Sequence, residues 1–266
     1  MPPGSFFPLI FLTASDNDRK PECADGIPDS LFFKALKTDM IRDMKTFLRP
    51  DTPSGSGFPI AKAGYPFIFL AVFITSIAAL SEWHWLTVPG LCASLFCFWF
   101  FRDPDRVIPA NPEALVSPAD GKVVVARRVD SYPYGEGPAF QISIFMSVFN
   151  VHVNRIPFDG TIREVQYHPG RFFNASLNKA ATENERNAIL IETPSAGKFW
   201  TVQVAGLIAR RIICHVQEGD SVSRGTRFGL ICFGSRLDLY LPPDFNCAVR
   251  EGELTQAGTT TLGSMQ

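Results

Sequence analysis

The chain offers three residue types from which nucleophilic chemistry is built: a serine behind a glycine, a histidine among amides, and an aspartate in a turn. The serine is Ser235, in the stretch FGSRLDLYLP (233–242). Phe233, Leu237, Leu239 and Leu241 alternate with polar residues as in a half-buried strand. Gly234 interrupts the start of that strand, where a glycine packs nothing and marks a bulge or a close backbone approach. A serine hydroxyl needs an adjacent base to become a nucleophile, and a further group to orient the base. Of the four histidines, His84 lies in apolar sequence, His168 in the turn-like YHPG, and His215 behind ARRIIC on an apparent strand. His152 stands in FMSVFNVHVNRIPFDG (145–160), a dense run of β-forming residues that carries Asn150, Asn154 and Arg155. Asp120 precedes Gly121 in SPADG, and Asp-Gly is first of all a turn signal. Each of the three has an ordinary structural reading, and in isolation they establish no site.

The remainder of the 266 residues must bring such positions together. The net charge of −1 gives no field that favours nucleic acid, so no nucleic-acid partner is expected. Six cysteines (23, 92, 97, 214, 232 and 247) form no Cys-x-x-Cys pair, and the histidines are scattered, so no metal site is expected. The cysteines read as free thiols of a reducing compartment.

Two apolar runs precede the β-rich part. AGYPFIFLAVFITSIAALS (63–81) carries no charge, WHWLTVPGLCASLFCFWFF (83–101) has only His84, and Glu82 separates them. Each approaches the ~20 residues that cross a bilayer as a helix. They predict a transmembrane or membrane-embedded helical hairpin over 63–101, with Trp83 and Trp85 at one interface and Trp99 at the other. Arg42, Lys45, Arg49 and Lys62 lie before it, and Arg102 and Arg106 after it. That distribution places both ends on the cytoplasmic face of the cell membrane. Residues 1–62 read as a disordered, basic segment. FFPLIFLTAS is too short to span and lacks a basic flank, and Met40 and Met44 are alternative starts to Met1.

From 102 to 266 short β runs alternate with glycine and proline: 121–129, 140–148, 160–168, 187–193, 199–207, 227–234 and 236–242. The most helix-like stretch is 174–186. The fold class is mainly β, an antiparallel domain of lipoyl-like or barrel-sandwich character, as the glycine-turn unit VQEGDSVSRGTRFGLI (216–231) suggests.

Read in order, FFRDPDRVIP, LVSPADGKVV, FMSVFNVHVNRIPFDG, YHPGRFFNASLNKAATENERNAI, AGLIARRI and FGSRLDLYLP resemble the short-form phosphatidylserine decarboxylase proenzymes, over roughly residues 98–243. The resemblance implies self-cleavage at Gly234–Ser235. The Ser235 hydroxyl attacks the Gly234 carbonyl, the amide becomes an ester, and elimination followed by loss of ammonia turns Ser235 into a covalent pyruvoyl cofactor. Glycine before the serine allows strained backbone and an unobstructed approach to the carbonyl. The products are a β chain of 1–234 and an α chain of 235–266. The pyruvoyl group then forms a Schiff base with phosphatidylserine and acts as electron sink while CO2 leaves, giving phosphatidylethanolamine.

By the same resemblance His152 serves acid–base chemistry and Asp120 orients it. Arg155 stands where the longer bacterial form has a second histidine. Arg155, Arg171, Lys179 and Arg186 are candidates for holding the phosphate or carboxylate of the substrate. LGSM (262–265) matches the longer form's cleavage site by spelling only. Phosphatidylserine, membrane lipid, the two chains of one precursor and further copies in a homo-oligomer are the implied partners. The hairpin is expected to act as a tether, leaving 102–266 able to cut itself. A membrane-tethered β binding module and a serine hydrolase using Ser235 directly are the rival readings, and both predict an uncut chain.

Overall fold

The computed structural model describes residues 59–173, 175, 183–194, 197–207, 211–232 and 234–264. Helix α1 (Tyr65–Leu80) carries Pro66 in its first turn, where a missing N–H costs nothing, and α2 (His84–Phe100) follows after a tight turn. Glu82 in that turn adopts a left-handed φ of +58°. The helices pack along Thr75, whose Oγ1 lies 3.3 Å from Ser94 Oγ and whose side chain fills the space beside Gly90. Most other side chains of the pair are apolar and exposed. Lys62–Leu80 is 19 residues long and apolar enough to cross a membrane, whereas His84–Phe100 is shorter.

The rest is antiparallel β. The strands are β1 (Ala114–Val116), β2 (Gly121–Val129), β3 (Ala139–Met146), β4 (Val153–Arg155), β5 (Gly160–His168), β6 (Arg186–Thr193) and β7 (Gly197–Ala205). They continue with β8 (Ile212–Cys214), β9 (Ser221–Val222), β10 (Arg227–Ile231), β11 (Ser235–Leu241), β12 (Asn246–Cys247), β13 (Leu254–Thr255) and β14 (Thr261–Ser264). An eight-stranded sheet runs β13-β2-β3-β11-β7-β6-β5-β9, and two three-stranded sheets run β4-β10-β8 and β1-β14-β12. Of the helix-like stretch 174–186, the residues 174 and 176–182 lie outside those described, and Arg186 already begins β6.

Strand β11 sits at the centre of the large sheet, between β3 and β7, and is buried on both faces. Leu237, Leu239 and Leu241 join Ile142, Ile144 and Phe228 in the main core. On the opposite face Tyr240 packs with Trp200, Val202 and Val204. Arg236 and Asp238 also point to that second face, where they form a fully buried ion pair at 2.8 Å. The alternation of FGSRLDLYLP therefore separates two cores, one aliphatic and one that includes a charge pair.

The topology carries a feature that the strand list conceals. Neighbours β3, β11 and β7 of the large sheet connect directly to β4, β10 and β8, which are neighbours in the same order in a small sheet. Three adjacent strands thus cross together from one sheet to the other. The crossings lie between Met146 and Val153, between Ile231 and Ser235, and between Ala205 and Ile212. Gly234 does not interrupt β11, as the alternation had predicted, but is the crossing residue just ahead of it.

The hairpin is continuous with this body. Ile68, Phe100 and Phe101 share one apolar cluster with Val151, Val153, Leu230 and Cys232 of the small sheet and its approaches. The chain entering and leaving the hairpin is zipped together, Ala61 N–H to Phe101 O and Asp103 N–H to Pro59 O, both at 2.8 Å.

Asp238→Ala leaves the Arg236 guanidinium without its carboxylate in a dry interior, and is expected to cost about 3–5 kcal/mol. Urea unfolding of the full chain in detergent measures it, and a loss under about 1 kcal/mol would contradict the buried pairing.

Candidate active site at the seam between two sheets

Backbone groups lose their ladder partners where strands leave a sheet, so a crossing must satisfy them by other means. At this seam the Gly234 N–H donates to His152 Nε2 at 3.2 Å. His152 Nδ1 lies 3.0 Å from the Asn150 carbonyl oxygen, an acceptor, so the proton of the neutral ring sits on Nδ1 and the lone pair of Nε2 faces the Gly234 amide. The turn before the histidine is fixed as well: Asn150 Oδ1 accepts from both the Ser147 N–H and the Ser147 hydroxyl, at 2.9 and 2.7 Å. The His152 ring is fully buried and packs on Phe100, with ring centroids 4.4 Å apart. Burial lowers its pKa from 6.5 to about 4. Roughly one ring in a thousand is then protonated at pH 7, which makes His152 a base in this state and not an acid.

Gly234 holds φ at +72°, a backbone region that a side chain rarely tolerates. Ser235 is fully buried and heads β11, opposite Met146 of β3 and Ala205 of β7. Its hydroxyl donates to the Met146 thioether at 3.9 Å, a weak acceptor that leaves the oxygen free to turn. Met146 also receives Asn154 Nδ2 at 3.6 Å, and Asn154 Oδ1 accepts from Gln203 Nε2 at 2.9 Å. The serine thus sits on a buried chain of neutral amides. Nearby Cys232 is no competitor as nucleophile, because burial raises its thiol to about 11.

Gly206 escaped the sequence reading, although it lies in the AGLIARRI stretch. A Cβ placed on it would fall 2.1 Å from the Gly234 carbonyl oxygen. Its φ lies outside the left-handed region, so the glycine serves space and not conformation. It leaves room for the carbonyl that Ser235 is expected to attack. Asn184 fixes this stretch from below: its Nδ2 donates to Ala205 O at 2.7 Å and to Phe173 O at 2.8 Å, and its Oδ1 accepts from the Phe173 N–H.

Other expected positions take different places. Asp120 accepts from the Ala257 N–H at 2.7 Å and from Arg106 at 2.8 Å. Both His152 nitrogens are engaged elsewhere, and the Asn150 carbonyl, not Asp120, orients the ring in this structure. Arg155 is an internal strut, donating to Gly225 O and Pro104 O at 2.9 Å and pairing with Asp103 at 3.4 Å, so its guanidinium does not face a substrate. Arg171 is exposed and bonded through its backbone to Glu183 and Glu185. Arg186 Nε donates to the Tyr134 hydroxyl at 2.9 Å. Lys179 lies outside the described residues. Ser264 of LGSM pairs with Ala114 and Asn246 in the third sheet. Phe100 makes the hairpin exit a wall of the site, so the expectation of a mere tether gives way. Removing 1–101 would strip His152 of the ring that packs on it.

Two outcomes follow from this geometry. Gly206→Ala is expected to slow self-cleavage by about a hundredfold, as small misplacements at a reacting centre do, and a time course by intact mass measures it. Normal maturation would show that the crossing yields to a methyl group. His152 takes up protons more readily unfolded, near 6.5, than folded, near 4. Its contribution is therefore complete above pH 6.5 and is lost as pH falls toward 4, by up to about 3 kcal/mol. Urea midpoints of the uncut Ser235→Ala protein at about pH 7.5 and 4.5 test this, and His152→Gln should flatten the difference.

A sequence model of phosphatidylserine decarboxylase matches residues 93–263. A phosphatidylserine decarboxylase proenzyme from Magnetococcus marinus is 46% identical over 209 residues, 78% of this chain and 95% of that one. Its namesake from Desulfotalea psychrophila is 48% identical over 207 residues, covering 78% and 97%. The one from Cupriavidus pinatubonensis is 47% identical over 207 residues, covering 77% and 95%. Matched across the seam and aligned with nearly the whole of such relatives, the chain belongs to the phosphatidylserine decarboxylase family of lyases.

Proposed function

We propose that this chain is a proenzyme that cuts itself between Gly234 and Ser235 and then decarboxylates phosphatidylserine to phosphatidylethanolamine. The observation that carries the reading is the approach of a buried, neutral His152 to the amide of Gly234, directly before a buried serine. In the proposed cut, the Ser235 hydroxyl turns away from Met146, the Gly234 N–H releases His152 Nε2, and the hydroxyl proton passes to that nitrogen while the oxygen attacks the Gly234 carbonyl. The bond from the Gly234 carbonyl carbon to the Ser235 nitrogen breaks, that nitrogen takes the proton back from His152, and an ester forms. Loss of the Ser235 α-proton then expels the Gly234 carboxylate, and hydrolysis releases ammonia. The positive φ of Gly234 and the space at Gly206 favour that approach.

The resulting pyruvoyl group supplies an electrophilic carbonyl that condenses with a primary amine and draws electrons as CO2 leaves. The residues around Ser235 suit it: the position is dry, the neighbouring amides are neutral, and β11 is fixed on both sides by β3 and β7. The protons of both stages are assigned to His152, a reading supported by its contact with the Gly234 amide. Arg171, Arg186 and Lys179 remain proposals for the anionic parts of the substrate.

On this proposal the chain divides into an N-terminal segment (1–62), a membrane hairpin (63–101) and a β domain of barrel-sandwich character (102–266). At 1.5 Å per residue the helices reach about 25 Å into a hydrocarbon core of roughly 30 Å. The basic residues flanking the hairpin favour the cytoplasmic face.

Ser235→Ala is expected to stay a single inactive chain, and Ser264→Ala to mature and turn over normally. Intact-mass analysis and release of CO2 from phosphatidylserine read both. An uncut Ser264 variant beside a maturing Ser235 variant would reverse the assignment. An uncut but active wild type would favour a hydrolase-like use of the serine.

A further inference from the structure

The rim of the seam carries a pattern that the chemistry does not use. Beyond Met146 and Ala205, the partners of Ser235, strands β3 and β7 run out into loops on either side of the site. Each loop presents an apolar side chain to solvent: Phe149, 68% exposed, and Leu207, 63% exposed. The turn does not need Phe149, because Ser147 and Asn150 hold it through Asn150 Oδ1. The hairpin exit joins the same rim. Arg102 donates from Nη2 to the Phe149 carbonyl oxygen at 2.8 Å and from Nη1 to that of Trp99 at 2.7 Å. Its guanidinium lies 4.2 Å over the half-exposed Trp99 ring.

We propose that Phe149 and Leu207 form a second bilayer contact, pressing the end of the sheet that carries Ser235 into the boundary between headgroups and acyl chains. The inference rests on the membrane-bound reading above and deepens it. Three features favour an anionic lipid surface as the occupant. The rim is continuous with an exposed apolar hairpin. Tryptophan and arginine stand at the junction, where aromatic rings and cations settle at headgroup level. Two exposed apolar side chains, one beyond each strand that flanks Ser235, also fall far short of the ~800 Å² per partner of a stable protein interface. A lipid headgroup then reaches the reacting carbonyl by sliding within the leaflet.

The test uses the full-length protein with vesicles of phosphatidylserine and phosphatidylcholine, some with brominated acyl chains. Phe149→Trp should add an emission component that the brominated lipid quenches, beyond the quenching of the native tryptophans. The double variant Phe149→Ser, Leu207→Ser should lose about tenfold in turnover at limiting vesicle lipid. Its turnover of dispersed short-chain phosphatidylserine and its self-cleavage should stay within about twofold of wild type. Absence of quenching of the component added by Phe149→Trp, or equal losses on the two substrates, overturns the proposal. A shift in oligomer mass of the double variant without quenching gives the rim to a second copy of the chain and overturns it as well. Should the double variant fail to fold, the quenching alone decides. A wild type that releases no CO2 from either substrate would instead sink the decarboxylase reading and leave the quenching result standing.

Discussion

Three neighbouring strands leave one sheet and enter another side by side, and at that seam no ladder can satisfy every amide. Leaving an N–H unpaired away from water costs on the order of 1–3 kcal/mol, and at the half-buried Gly234 the protein supplies an acceptor. The acceptor is an imidazole nitrogen. For it to accept, the ring must be neutral with its proton on the other nitrogen, and the Asn150 carbonyl enforces this. One bond thus satisfies the Gly234 amide and holds a neutral imidazole against it. The ring in turn requires a dry environment, and Phe100 from the end of the hairpin provides part of it.

The apolar hairpin and the β sheets are therefore parts of one structure. Phe100 and Phe101 end a helix whose other side chains mostly face outward, yet both are fully buried. They convert the exit of the hairpin into core, and the zipped backbone at Ala61 and Asp103 fixes its direction. The exposed apolar hairpin and the surroundings of His152 are linked by adjacent residues.

Local pattern made a good part of this legible. Strands β2 and β5 run over 121–129 and 160–168, as alternation predicts, because their faces differ in polarity. Gly234–Ser235 and His152 were legible because ordered motifs surround them. Gly206, Asn184 and Phe100 were not: their parts depend on contacts between segments distant in sequence, which no spacing encodes. Arg236 and Asp238 read as the solvent side of a half-buried strand and instead lie in a second core, since period two cannot tell solvent from a buried charge pair. Asp120 and Arg155 were marked by motif and by charge, but nearby partners had the stronger claim on each of them.

The position of the seam also sets what a cut there does to the molecule as a material object. The bond lies at the head of β11, so a cut there touches only the Ser235 end of that strand's register with β3 and β7. The released 32-residue piece also supplies β13 to the edge of β2 and β14 to the partner of β1. A chain cut there becomes two that stay woven through each other along the rest of β11. Native structure persists, but the instructions for making it no longer reside in a single chain. Refolding then becomes a bimolecular encounter, slow at dilution and exposed to loss of the shorter partner. The mature protein is held by the barrier to unravelling more than by the ease of return.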